Sequence, residues 1–233
     1  MKFLKKLICL FIPLAKVRHR ILRHDASLLR VIDNGVERKP HFRELKHIFV
    51  MQKKGCKGNV VKIELPIRSL HLSVDFESND NTVVIHSNNK ATCTIIFHDD
   101  GGFVEIGHNN VMLSCFMAVT GSGIRIGDNG LFAVDLIFYA GDAHTLLDAK
   151  TGAILNERPE PIVVGNHCWI GRGVTLTKNA VLPDETIVGI QAVVTKKFTE
   201  KHTALAGVPA RVVHQGISWD ASSPGEFIQK NPA

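Results

Sequence analysis

The sequence predicts an all-β fold in which a six-residue repeat winds the chain into a parallel β-solenoid. Three observations carry that expectation. Counting forward from Val164 in steps of six gives Ile170, Leu176, Leu182, Val188 and Val194, an aliphatic column with a period that no helix has. Small side chains, Cys168, Val174, Ala180, Thr186 and Ala192, stand four residues after successive members of the column. Gly165, Gly171 and Gly189 directly follow members of it, where a permissive backbone would let a short strand turn a corner. Nineteen glycines and only 6% aromatic residues, set against many Val and Ile, favour short strands over helices in the same way.

The elements follow in chain order. Residues 1–57 form a basic N-terminal segment. Within it, residues 1–22 set Lys5 and Lys6 before an apolar run of nine residues, interrupted by Pro13, with basic residues after it. That run is too short to span a bilayer. It reads as a short basic helix packed on its own domain, as an amphipathic surface in peripheral contact with anionic lipid, or as a signal peptide with a poor cleavage site. Residues 58–197 form the solenoid. Its early coils are irregular: Ile106, Met112, Ala118 and Ile124 step by six, and Ile126, Phe132 and Phe138 resume after a shift of two. A polar stretch, 141–161, carries no column and is expected to project as a loop. Interruptions of a solenoid commonly carry its function. Residues 198–233 form a C-terminal extension, because Pro209 cannot continue a central strand.

Composition narrows the function. The 233 residues, 45% hydrophobic, suffice for a sizeable core. Five cysteines with no C-x-x-C pair suggest neither a disulfide framework nor a zinc cage, and they fit a reducing, cytoplasmic setting. The net charge of +6 is concentrated in the first 54 residues and near 196–211 instead of forming one long stripe, so nucleic acid is not the expected partner. A basic N-terminus suits an acidic glycan or the inner face of a membrane.

The segments 164–171, 188–196 and 206–211 together resemble the left-handed parallel β-helix acyltransferases of the hexapeptide-repeat type. Gly141-Asp142-Ala143-His144, followed by Asp148 and Thr151-Gly152, is similar to the loop of capsular polysaccharide O-acetyltransferases, including those of polysialic acid. The likeness covers roughly 100–213. It implies a homotrimer, acetyl-CoA as donor, and active sites in the grooves between neighbouring prisms. Ile190-Gln191 departs from the smaller residues usual after Gly189.

The chemistry of acyl transfer selects candidates within that frame. An alcohol needs a base to take its proton as a thioester is attacked, and His144 in the interrupting loop is the candidate, with Asp142 or Asp148 to orient its ring. Trp169 precedes the inward Ile170 and should point outward, where its indole N–H could serve a developing oxyanion or its ring a trimer interface. His167 reads as an exposed corner residue, and His98, His108, His202 and His214 have no sequence neighbours that suggest chemistry. For the coenzyme, Gly171, Gly189, Ala192 and Thr195 would line the pantetheine groove, while Lys196, Lys197 and the Gly207, Pro209, Arg211 loop would hold phosphate. No metal is expected. The reading is O-acetylation of a carbohydrate, most naturally a capsular or surface polysaccharide, in a ternary complex. Acetylation of a small molecule and a non-catalytic scaffold are the alternatives.

Overall fold

A computed structural model describes residues 23–157 and 159–231; the readings placed on residues 1–22 lie outside them. The chain is a parallel β-solenoid closed by two antiparallel hairpin-like ends. Along one face Val31, Ile63, Ile85, Ile106, Ile126, Val164 and Leu182 stand in register, one per coil, through seven coils, and all are buried. The other faces carry the stacks Ala91, Met112, Phe132, Ile170, Val188, Leu205 and Val74, Ile95, Met117, Phe138, Leu176, Val194. These columns are the core. Each buried aliphatic side chain contributes roughly 1.5–3 kcal/mol, and stacking identical positions multiplies that along the axis.

The six-residue column is inward at every position, from Val164 to Val194, and so are the small residues four places on, Cys168 to Ala192. The expectation for the glycines is corrected in its reason. Gly165 and Gly171 do not turn the corners: the left-handed residues are His167, Gly173, Asn179, Glu185 and Gln191, further along. A Cβ on Gly165 would stand 2.5 Å from the Asp184 amide nitrogen, and one on Gly171 2.8 Å from the Val188 carbonyl oxygen. Those glycines let one coil lie directly on the next.

The early coils follow a different rule. Here one long strand, Lys90–Phe97 or Val111–Val119, bends around a corner and covers two faces, with a bulge between Met112 and Cys115. Above it the same strand pairs with two separate ones, Leu131–Phe132 and Leu136–Ala140. The coils are correspondingly longer, 20 to 22 residues from Ile63 to Ile126 against 18 from Val164 to Leu182. The step of six to Ala118 is therefore corrected: Met117 holds the core position, in register with Phe138, and Ala118 pairs with Tyr139. Buried asparagines take over the corners. Asn110 accepts the Gly130 N–H at 2.7 Å and donates to the Gly107 and Gly127 carbonyls, and Asn89 below it accepts the Asn110 N–H at 2.8 Å.

The parallel ladder begins at Leu29, so it reaches into the segment 1–57. At the other end Thr203–Ala206 adds the last parallel strand, and Arg211–Gln215 folds back against it antiparallel. The tail then forms a short helix, Pro224–Lys230, opened by a Ser223–Glu226 capping box.

Candidate active site

The expected loop leaves the prism after Leu136–Ala140 and returns at Ile162–Val164. Its exit requires glycine: Gly141 has φ +139°, and a Cβ there would stand 2.0 Å from the Thr120 carbonyl oxygen. Inside the loop a bridge joins Leu147 to Ile154. Asp148 is spent on the turn between them, accepting from the Thr151 N–H at 2.7 Å and the Thr151 hydroxyl at 2.9 Å, which holds its carboxyl below the usual range. Asp142 is bound by Lys178 from the coil above and by Asn156 Nδ2 at 2.7 Å, and these two, Lys178 foremost, lower its carboxyl as well.

Asn156 is the pin of the loop. Its Nδ2 also donates to the His144 carbonyl at 2.9 Å, and its Oδ1 accepts the Leu146 N–H at 2.8 Å. The backbone of His144 is thus fixed while its imidazole is exposed and has no hydrogen-bond partner among the described residues. The structure brings neither Asp142 nor Asp148 into a hydrogen bond with that ring. It does bring His98, whose sequence neighbours suggest no chemistry. His98 and Asp99, with Thr120, Asn156 and Glu157, line a cleft of about 590 Å³ shared with His144, and His98 Nδ1 lies 2.9 Å from Glu77 Oε2.

Trp169 points outward from Trp169–Ile170 and is 42% exposed. Its indole N–H makes no hydrogen bond among the described residues. Beside it the C-terminal tail returns: Trp219 stacks on His167 at 4.4 Å, tilts against Trp169 at 6.1 Å, and donates Nε1–H to the His167 carbonyl at 2.8 Å. His167 is therefore a covered corner residue, held on its other side by Glu185 at 2.9 Å. Within one chain Trp169 and the His144 loop stand on different edges of the prism, since the loop leaves between Leu136–Ala140 and Ile162–Val164, whereas Trp169 opens the strand that follows Ile162–Val164 around the next corner.

The basic candidates converge. Lys196, Lys197 and Arg211 share a cleft of about 280 Å³ with Phe198, and Lys196 Nζ lies 5.4 Å over the Phe198 ring. Thr195 is exposed beside them. Gly207 and Pro209 form the turn above, where the Gly207 carbonyl accepts the Val193 N–H at 3.0 Å. Gly171 and Gly189 lie on consecutive coils below it, and Ala192 is enclosed in the prism. Cys168 is inert: burial, above all, pushes its thiol up to about 12.

This architecture is the fold of the hexapeptide-repeat acetyltransferases. Two solved structures show the likeness: the polySia-specific acetyltransferase NeuO, with a TM-score of 0.71 at 23% identity over 88% of this chain and 95% of that one, and the polysialic acid O-acetyltransferase OatWY, at 0.66 and 19% over 76% and 88%. In sequence the chain is similar to the polysialic acid O-acetyltransferase of Escherichia coli O1:K1 / APEC, 29% identical over 147 residues, 63% of this chain and 47% of that protein. It is also similar to the galactoside O-acetyltransferase of Escherichia coli strain K12, 30% identical over 122 residues, 52% of this chain and 58% of that protein. The chain thus spans about half the length of these curated relatives. No family model matches it.

Proposed function

We propose that this protein is an acetyl-CoA-dependent O-acetyltransferase whose acceptor is a hydroxyl of a capsular or surface polysaccharide. The observation that carries the reading is the His144 loop: a pinned backbone presents a free imidazole to an open cleft on a solenoid whose relatives are named O-acetyltransferases. His144 takes the acceptor proton as the hydroxyl oxygen attacks the thioester carbon, and the thiolate of coenzyme A leaves with a proton. Trp169 donates its free N–H to the oxyanion. Because His144 and Trp169 stand on different edges of one prism, a site that uses both is shared between neighbouring chains, in keeping with a homotrimer. Lys196, Lys197 and Arg211 receive the coenzyme's phosphates. Transfer is direct in a ternary complex: among the described residues Cys93, Cys115 and Cys168 are buried, and the partly exposed Cys56 has no base among its side-chain hydrogen bonds and does not line the His144 cleft. The protein acts in the cytoplasm, in contact with the inner face of the membrane through residues 1–22; among the described residues no helix is long and apolar enough to cross a membrane.

The test is acetyl-CoA turnover on a panel of anionic and neutral polysaccharides, with monomeric galactosides alongside because one relative is named for them. His144→Ala should lower acceptor-dependent release of coenzyme A by about 10²–10⁴-fold with the fold intact. Undiminished turnover would remove His144 as the base, and turnover confined to monomers would replace the polymer by a small acceptor.

A further inference from the structure

On the edge of the prism that carries His167, in the coils below it, we infer that Glu64, His86 and His108 form a binding site for one divalent transition-metal ion of the zinc type. The three come from successive coils, each 22 residues after the last. Glu64 and His86 directly follow the column residues Ile63 and Ile85, at the place where the next three coils carry Gly107, Gly127 and Gly165. In the coil above His86, where that place is Gly107, His108 beyond it supplies the side chain.

The arrangement is built, not merely crowded. One ligand atom from each residue lies within 4.8 Å of the other two, and all three side chains are half-buried. Adjacent coils are about 4.8 Å apart, so Glu64 and His108, two coils from each other, converge only because each turns toward His86. Glu64 Oε2 is 2.7 Å from His86 Nδ1, and the His86 and His108 rings face each other at 4.7 Å with 36° between their planes. The His108 backbone N–H donates to Asp128 Oδ1 at 2.6 Å, while its ring meets Ser87, whose Oγ sits 3.0 Å from Nδ1 and can orient the imidazole as a partner of a ligating histidine commonly does. Glu105, 3.6 Å from His86 Nε2, is itself held by Arg125 at 2.9 Å and closes the far side.

Two imidazoles and one carboxylate select zinc-like ions over calcium or magnesium, which prefer oxygen donors. Bonds of about 2.0–2.2 Å require the ligand atoms to draw together. Rotation of the side chains, which are about three-tenths exposed at Glu64 and His86, is the movement the proposal requires. Three protein ligands leave a fourth position for water. An ion there would tie three coils together and stabilise the folded chain by mass action.

The full-length protein, stripped with chelator and then dialysed against Zn²⁺, tests the site by bound-metal analysis, and loading with Co²⁺ adds the visible absorption of a low-symmetry site. The expected result is one ion per chain, a metal-dependent rise in Tm, and at least a tenfold loss of affinity in His108→Ala and in His86→Ala. His144→Ala should bind as the wild type does, separating this site from the loop. Where an alanine variant is unfolded by circular dichroism, His108→Gln and Glu64→Gln, which keep bulk, give the reading. Wild-type protein that retains no zinc, or variants that bind it unchanged, would overturn the proposal.

Discussion

Lys178, in the turn after Thr175–Thr177, is ion-paired to Asp142 at the root of the His144 loop. One coil of the prism thereby reaches down the edge and fixes the segment that leaves from the coil beneath it. The pair is about seven-tenths covered on each side, and Asn156 extends it to the His144 carbonyl.

That relationship makes Lys178 a positioning residue. Replacing it by alanine should cost no more than about 1 kcal/mol of global stability, because a partly exposed pair is weak. Turnover should fall by roughly tenfold to a hundredfold, because the imidazole it positions would drift. Thermal melts and steady-state rates on the same preparation check the split. An equal loss in both would mean that the pair serves the fold alone.

The Asp142 carboxyl titrates below its ordinary value, with Lys178 the first cause. A carboxylate held down in the folded state stabilises it above the unfolded value of about 3.9, and the contribution fades as pH falls through the lower folded value. The Tm difference between wild type and Asp142→Asn should therefore be present at pH 7 and shrink steadily as pH falls below about 3.9. A difference that does not change across that range would show that the effect is packing and not charge.

Arg211 and Lys197 meet in the cleft at the end of the parallel ladder. Under the proposed function, Lys197→Ala/Arg211→Ala should raise the KM for acetyl-CoA about tenfold or more while leaving kcat within a few-fold, as expected when binding shared by ground and transition states is removed. Titrating salt should raise KM in the wild type more steeply than in the double variant.

Asn110 should be the costliest polar residue of the early coils. It is fully buried and joins three coils. Asn110→Ala leaves the Gly130 N–H and the Gly127 carbonyl without this partner, at about 1–3 kcal/mol for each group. Roughly 2–4 °C of Tm per kcal/mol makes the loss easy to measure.

The late coils were legible because a strand, a corner and an inward residue repeat every six positions, and nothing else produces that period. The early coils were not, because their strands bend around a corner without breaking, and a bulge moves Met117 into the place a strict count gives to Ala118. The His144 loop was visible as a break in the pattern. His98 was not, since it joins the cleft from the coil below, 46 residues away in sequence. Glu64, His86 and His108 were equally hidden: a 22-residue spacing means nothing until the coil length is known.

By itself, the sequence determined the solenoid, its core column, the exit of the loop and the residue types able to perform acyl transfer, because each is written in local spacing and side-chain chemistry. Only the tertiary structure decided what each polar residue does. Asp148 is spent on a turn, Asp142 is bound to Lys178, and His167 lies beneath Trp219 from a tail 52 residues on. Stacking coils makes neighbours of residues a full coil or more apart, and hydrogen bonds form between neighbours in space whatever their distance along the chain.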